Sequence, residues 1–281
     1  PQLSKIFNVS DTHIRTILKE AGITLECKTR FIKKYNFNVH YFDIIDTEEK
    51  AYFLGLLYSD GYNDTNRGTT VLSLQEGDND ILTRFNKSID NTRPLQLIDF
   101  SRYKNCENNV NQLRLTLNSR YFSDQLVKLG CISNKSLTLQ FPTEEQVPKH
   151  LLRHWLRGMW DGDGSLSYSF IKNTKHKKLI NRLYVSVGLT GTEDICYSIR
   201  SFLDDKLRIN TCISFDKDKT KTTRQITITG TQQIRVFLDW LYEDATIYLN
   251  RKYEKYKEIS QLYHERGWDA EGLKPKRWEE G

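Results

Sequence analysis

The sequence has few of the features that mark disulfide-bonded, metal-cluster or membrane proteins. Its 281 residues include only five cysteines, and no two of them form a CxxC pair, so neither a disulfide framework nor a zinc cluster is expected. No apolar run approaches the roughly 18 residues that a membrane span needs, and the first residues do not resemble a signal peptide. We therefore expect no membrane partner and a reducing compartment, the cytoplasm or the nucleoid, with an organelle left open.

The chain also lacks a strong excess of charge of one sign. Its 42 Lys and Arg residues against 36 Asp and Glu residues give a formal net charge of +6. This mild basic balance permits nucleic-acid binding but does not show it, because many soluble proteins share it. Aromatic residues make up 12% of the chain, which is too many for a disordered protein. The length is that of one large domain or two ordinary ones.

Residues 1–25 have the pattern of a small helix-turn-helix. We predict a short helix over residues 2–7, a turn at 8–10 and a second helix over 11–21, which Ser10 or Asp11 begins and Gly22 ends. The exposed face of the second helix would carry Arg15 among other polar residues, which suits DNA. The alternative is a generic helical hairpin without a DNA partner.

Residues 26–44 are predicted to be a basic linker. Lys28, Arg30, Lys33 and Lys34 lie among aromatic residues in this segment. Such a linker beside a helix-turn-helix can follow DNA phosphates, although a solvated connector fits the same pattern.

From residue 45 onward the chain repeats itself. Each copy, residues 45–148 and 149–262, begins with an apolar helix that ends in Asp-Gly, at Asp60 and at Asp163. Each continues with an alternating strand, a helix, a further strand and another helix, and finishes with a lysine, Lys135 or Lys252. The similar spacing favours a duplicated unit with a C-terminal tail at 263–281.

Small residues four apart lie on one face of each repeated helix. Gly55 and Ser59 share a face in the first helix, as Gly158 and Gly162 do in the second, so we expect the two backbones to pack closely across a pseudo-twofold axis. We place each aspartate at the last helical position, before a glycine suited to a left-handed cap. Carboxylates there oppose the helix dipole and repel each other, and divalent cations are the compensation we expect.

Around the second aspartate, Asp161-Gly-Asp163-Gly-Ser165 has the opening of a calcium-binding loop. The sixth position of that loop would be Leu166 where glycine is needed, and the twelfth would be Lys172 where Glu is needed. A calcium loop is therefore not expected.

The two apolar helices, with the sequences Phe53-Leu-Gly-Leu-Leu-Tyr-Ser-Asp60-Gly61 and Leu156-Arg-Gly-Met-Trp-Asp-Gly-Asp163-Gly164, resemble the LAGLIDADG motif of homing endonucleases. Two copies in one chain are similar to the monomeric, pseudo-symmetric members. The resemblance implies an α+β fold of two αββαββα halves that form a saddle-shaped antiparallel sheet. The main departures from the motif are Leu54 and Arg157 at the second position and Tyr58 at the first acidic one.

The resemblance also implies roles for individual residues. Asp60 and Asp163 match the aspartates that bind the catalytic metal, Mg²⁺ or Mn²⁺, which would activate water and stabilise the leaving 3′-oxygen. Lys135 and Lys252 match, by position, lysines that stabilise charge. Gln75 matches a polar residue at a strand end that orders water near the scissile phosphate, and Thr190 would replace it in the second half.

The implied function is metal-dependent cleavage of a long, asymmetric double-stranded DNA target across the minor groove, as in intron homing, by a monomer that leaves short 3′ overhangs. Strands and hairpins would read the major groove. Beyond the N-terminal segment, the candidate DNA-binding residues are Arg67, Arg93, Arg102, Lys104, Arg114, Lys172, Lys175, Lys177, Lys178, Arg182, Lys217, Lys219, Lys221 and Arg224. The alternatives are a cleavage-inactive DNA-binding regulator, an RNA-splicing maturase of the same fold, or a structural pseudo-repeat that binds no DNA.

Overall fold

The N-terminal residues form a compact unit of their own. The computed structural model describes residues 6–22, 35–102, 110–133, 135, 138–173, 180–215 and 223–267, with the backbone alone at 11, 15, 102, 171–173 and 180–182. It divides the chain into unit 1, Pro1–Tyr35, and unit 2, Asn36–Gly281. In unit 1, Ser10 accepts the His13 N–H at 3.2 Å and so caps helix α1, Asp11–Glu20. The predicted second helix is confirmed, whereas residues 2–5 and 26–34 lie outside the described residues.

Unit 2 begins at Asn36, so the end of the predicted linker belongs to it, and Tyr41 and Phe42 of that segment are buried in its core. The first repeated half follows. Its elements follow the αββαββα order that the resemblance implies. They are α2 (Glu48–Ser59), β1 (Gly61–Asp64), β2 (Thr69–Gln75), α3 (Asn79–Ser88), β3 (Gln96–Ile98), β4 (Gln112–Asn118) and α4 (Arg120–Lys128).

The second half repeats this order and adds a helix. Its elements are α5 (Leu152–Asp163), β5 (Gly164–Asn173), β6 (Ile180–Gly191), α6 (Glu193–Leu207), β7 (Thr211–Phe215), β8 (Arg224–Ile228), α7 (Thr231–Tyr242) and α8 (Asn250–His264). The predicted pair of αββαββα halves is therefore confirmed.

Each half contributes one four-stranded antiparallel sheet with the same connectivity. The strand order is β1-β2-β4-β3 in the first sheet and β5-β6-β8-β7 in the second. Along β2 the residues alternate strictly between half-buried and buried, because an alternating sequence places every second side chain against the helices. We call the helix-packed side of each sheet the inner face and the opposite side the outer face.

Helices α2 and α5 pack against each other at the centre of unit 2. A Cβ atom on Gly55 would overlap the carbonyl oxygen of Trp155, and one on Gly158 would overlap the carbonyl oxygen of Tyr52. The two contacts are equivalent, because Trp155 lies three residues before Gly158 and Tyr52 lies three residues before Gly55. The predicted close packing through the glycine faces is therefore confirmed, and the surrounding apolar side chains of both halves join into one core.

A buried ion pair, Arg157 with Glu48, also connects the two halves. The Arg157 side chain is fully buried and donates to the carbonyl oxygens of Ile247 and Leu241 at 2.9 and 3.0 Å and to Glu48 Oε1 at 2.5 Å. Because Glu48 lies in the first half, this ion pair crosses the interface. Arg157, a departure from the motif, is thus a structural residue whose donors are satisfied, as a buried guanidinium requires.

Among the described residues, no helix is both long and apolar enough to cross a membrane.

The helix contact gives a stability prediction. Gly158→Ala should lower the free energy of unfolding by about 2 kcal/mol or more, because overpacking against the Tyr52 carbonyl exceeds the roughly 1 kcal/mol that alanine gains in a helix. Gly77→Ala is the matched control, because a Cβ there meets nothing within 4 Å. Urea unfolding of both variants measures the difference, and equal stability of the two would contradict the packing.

Candidate active site

The two motif aspartates lie at the same end of the paired helices. Asp163 is the last residue of α5, as predicted, whereas Asp60 is one position later, at the C-cap of α2. A Cβ atom on Gly162 would overlap both the Ser59 hydroxyl and the Asp60 carboxylate, so Asp60 rests against the backbone of the partner helix. The glycine at 162 therefore allows the first aspartate to approach the second.

The glycines after the aspartates serve close packing rather than backbone conformation. We expected left-handed caps, but Gly164 has φ −74° and ψ 150°, and Gly61 has no positive φ. In both cases a Cβ would meet the carbonyl oxygen of the residue four earlier, Leu57 or Trp160. The expectation was wrong because the chain passes directly from helix into strand, without the left-handed turn.

Lys135 and Lys252 close the ends of the two motif helices. Lys135 Nζ donates to the carbonyl oxygens of Leu57 and Ser59, both at 2.7 Å, and to that of Tyr58. Lys252 Nζ donates to the carbonyl oxygens of Trp160 and Gly164 at 2.6 and 2.5 Å. Positive charge at a helix C-terminus offsets the dipole. The chain thus supplies part of the compensation that we had assigned to cations alone.

The four side chains form one electrostatic cluster. Burial raises the pKa of Asp60, while Ser59, Lys135 and Lys252 act in the opposite direction. Burial and then the negative charge of Asp60 raise the pKa of Asp163 to about 6. Burial likewise lowers the pKa of Lys135, and it lowers that of Lys252 to about 8. Each group is held in surroundings that disfavour its own charge, as at functional sites.

The donor set fits a divalent cation that also binds other ligands. Two carboxylates that destabilise each other are suitable oxygen ligands for Mg²⁺ or Mn²⁺, because a cation between them favours both ionised forms. Among the described residues no group of three or more His, Cys, Asp or Glu side chains could hold a metal. The protein would therefore provide Asp60 and Asp163, and a substrate phosphate and water would complete the coordination, as is usual for Mg²⁺.

Gln75 and Thr190 occupy positions that the strand register does not make equivalent. Gly61 pairs with Leu72 in the first sheet, and Gly164 pairs with Leu189 in the second. Thr190 therefore follows Leu189, the partner of Gly164, by one residue. Gln75 follows Leu72, the partner of Gly61, by three residues. Both are accessible, but they would approach substrate at different points, and their water-ordering roles remain predictions.

Two charged residues near the site were not among the residues predicted for it. Asp161 is fully buried and accepts from Tyr52 Oη at 2.8 Å, Tyr242 Oη at 2.6 Å and the Leu249 amide at 2.7 Å. It thereby fixes α5 to α2, to α7 and to Leu249, the N-cap residue of α8, the helix that carries Lys252. In the sequence, Asp161 was visible only as a second acid two residues before Asp163.

The second missed residue is Arg251, next to Lys252. Its Nε lies 3.1 Å from Asp78 Oδ2, so it joins the start of α8 to the first half. Its charge also lowers the pKa of Asp60, behind the effects of Ser59 and the two lysines. Nothing in the sequence indicated that Arg251 would come close to the first aspartate, because that proximity depends on how the halves pack.

The predicted DNA-binding arginines whose side chains are described fall in different surroundings. Arg67 lies in the β1–β2 turn, largely exposed, 3.7 Å from Asp64. Arg93 lies between α3 and β3. Arg114 lies on the outer face of the first sheet. Arg224 shares the inner-face register of Ile226, donates to Glu193 Oε2 at 2.9 Å and stacks on Phe215, so it supports the sheet.

The remaining predicted DNA contacts were not tested. Only the backbone is described for Arg15, Arg102, Lys172 and Arg182. The others lie outside the described residues: Lys28, Arg30, Lys33, Lys34, Lys104, Lys175, Lys177, Lys178, Lys217, Lys219 and Lys221.

Comparison by sequence finds no matching family model and no curated protein. Comparison by structure finds proteins of one fold. The meganuclease I-AabMI, solved bound to uncleaved DNA, superposes with a TM-score of 0.53 at 11% identity over 80% of this chain and 93% of that one. The homing endonuclease I-LtrWI, bound to target DNA, gives 0.52 at 12% identity over 83% and 92%. I-SmaMI, bound to uncleaveable DNA, gives 0.52 at 11% over 77% and 91%.

Two of these neighbours, I-AabMI and I-LtrWI, are described as LAGLIDADG enzymes, and all three align along nearly their whole length. The chain therefore has the fold of the LAGLIDADG homing endonucleases.

Proposed function

We propose that the protein is a site-specific double-stranded DNA endonuclease of the LAGLIDADG type. The observation that carries the proposal is the pair of equivalent Asp–Lys sites, Asp60 with Lys135 and Asp163 with Lys252, at one end of two closely packed helices. A pseudo-twofold pair of sites suits the two antiparallel strands of a duplex, since each site meets one strand in the same orientation. The DNA-bound neighbours support this reading.

The two aspartates and the two lysines would have different roles in the reaction. Asp60 and Asp163 would hold Mg²⁺ or Mn²⁺, which, when bound, supplies an activated water and stabilises the leaving 3′-oxygen. Lys135 and Lys252 make the helix ends less negative, which lowers the repulsion that a phosphodiester would meet there. Two overlapping sites across the minor groove would cut the strands with a short 3′ overhang.

The outer faces of the sheets suit the DNA surface. The described side chains of the first outer face are largely uncharged and polar, with Thr69, Ser73, Gln75, Gln96, Gln112, Thr116 and Asn118 among them. The second outer face carries Ser165, Ser167, Ser169, Ser186, Thr190, Ser214, Gln225 and Thr227. Hydroxyl and amide groups read base edges in the major groove, where strands fit.

The partner we propose is a long, asymmetric DNA target bound by a single chain. Both Asp–Lys sites belong to one polypeptide, so no second copy is needed to cut both strands. Because the two outer faces differ in sequence, the two halves of the target would differ as well. The proposed place of action is the cytoplasm or nucleoid, where DNA is accessible and the thiols of Cys131, Cys196 and Cys212 stay free.

The aspartates provide the first test of this function. Asp60→Asn or Asp163→Asn should reduce double-strand cleavage in Mg²⁺ by about 100-fold or more, because the metal loses a charged ligand. Binding measured in Ca²⁺ should survive in both variants. The target would first be obtained by selecting cleaved sites from a random DNA library.

Asp124→Asn is the matched control, since Asp124 is exposed on α4, away from the paired helices. Full cleavage by the double variant Asp60→Asn/Asp163→Asn would contradict the proposal. Wild-type protein that binds a specific site in Mg²⁺ but never cuts it would instead identify a DNA-binding regulator.

The N-terminal segment provides a second test. If residues 1–25 contact DNA outside the core target, deleting them should shorten the nuclease-protection footprint at one end and weaken binding by roughly ten-fold, because several phosphate contacts are lost. Cleavage of a target trimmed to the remaining footprint should continue. A footprint of unchanged length would show that the segment does not contact DNA.

A further inference from the structure

The strand registers define one matched row of residues in each sheet. In the first sheet Ser73 pairs with Arg114, and Arg114 pairs with Gln96. In the second sheet Thr190 pairs with Gln225, and Gln225 pairs with Ser214. Ser73 follows Leu72, the partner of Gly61, and Thr190 follows Leu189, the partner of Gly164. Each row therefore starts beside the aspartate that precedes the glycine, Asp60 or Asp163.

Arg114 and Gln225 therefore hold equivalent positions in the two halves. Each lies two strands from its aspartate, which is about 10 Å at the usual strand spacing. Both belong to the outer face, because their strand neighbours Leu115 and Ile226 are buried against the helices. Side chains at these two positions would meet base pairs at mirrored distances from the cleavage sites.

Arg114 is held in a form suited to reading guanine. Its Nε donates to the Ser73 hydroxyl at 3.1 Å, which fixes the guanidinium on the outer face. Within the described chain no acidic side chain pairs with it, so both Nη groups remain available. Two parallel N–H donors match the O6 and N7 acceptors of guanine in the major groove.

Gln225 offers different chemistry at the mirrored position. Its side chain is exposed and makes no hydrogen bond within the described residues, while its backbone carbonyl accepts from the Ser214 hydroxyl at 3.5 Å. A carboxamide carries one acceptor and one donor side by side, which match N6 and N7 of adenine. Its neighbours in the row, Thr190 and Ser214, are too short to compete for the same base.

We infer that Arg114 and Gln225 are a specificity-determining pair, with Arg114 selecting a guanine in one half of the target and Gln225 selecting an adenine at the mirrored position in the other. This inference rests on the proposed DNA-cleaving function and adds which residues distinguish the two halves of the target. The two halves of the DNA target would therefore differ at the base pair that meets this one position, Arg114 in the first sheet and Gln225 in the second.

The test is an exchange of the two side chains. Random-library selection in Ca²⁺, followed by cleavage in Mg²⁺, would be run on the wild type, Arg114→Gln, Gln225→Arg and the double exchange. We expect Arg114→Gln to change one preferred guanine to adenine and Gln225→Arg to change the mirrored adenine to guanine. Each change should reverse a preference of roughly 5- to 150-fold.

Lys128→Gln is the charge-matched control, because it removes one positive charge from exposed α4 on the inner side of the first sheet. It should leave every base preference unchanged. If Arg114→Gln weakens binding equally at all sequences, Arg114 contacts phosphate and the inference is overturned. If the exchanges alter no preference, it is overturned too. A wild type that selects no sequence and cuts no DNA would instead refute the proposed function.

Discussion

The contact between the two motif helices is the constraint on which the rest of the structure depends. Gly55 and Gly158 allow each helix backbone to lie against a carbonyl of the other, closer than any side chain would permit. This contact brings the two helix ends together, and with them Asp60 and Asp163. It also fixes the separation of the two sheets, since each sheet begins directly at the end of a motif helix.

The same contact creates an electrostatic problem that the chain solves locally. Two carboxylates at two negative helix ends repel each other and the helix dipoles. Lys135 and Lys252 return from the end of each half to bind the terminal carbonyls, so the opposing charge comes from the farthest part of the same repeat. Burial raises the pKa of both aspartates, and the charge of Asp60 raises that of Asp163 further. A divalent cation would favour both ionised forms.

The two halves share a fold, but they differ in the residues that they contribute to the contacts between them and to the outer faces. The first half contributes Glu48 to the crossing ion pair with Arg157, and it contributes Asp78 to the contact with Arg251. Asp161 has no acidic counterpart in the first helix, where Tyr58 donates instead to the Leu129 carbonyl at 2.5 Å. The described outer faces differ as well, with longer amide and guanidinium groups in the first and mostly short hydroxyls in the second. The repeat thus gives symmetry to the catalytic groups and asymmetry to the surfaces around them.

The sequence by itself determined the duplicated elements, the glycine faces and the two Asp–Lys pairs, because these depend on periodicity and on spacing that a repeat makes visible twice. It also located two of the four strands of each sheet, since alternation follows from one buried face. Only the tertiary structure decided that the lysines cap the helices, that Gly61 and Gly164 serve close packing, and that Arg224 supports the inner face. It alone aligned Arg114 with Gln225 and placed Arg251 near Asp60. These relations join residues far apart in the chain, and the physical reason they escape sequence reasoning is that strand register and helix approach are set by packing between elements.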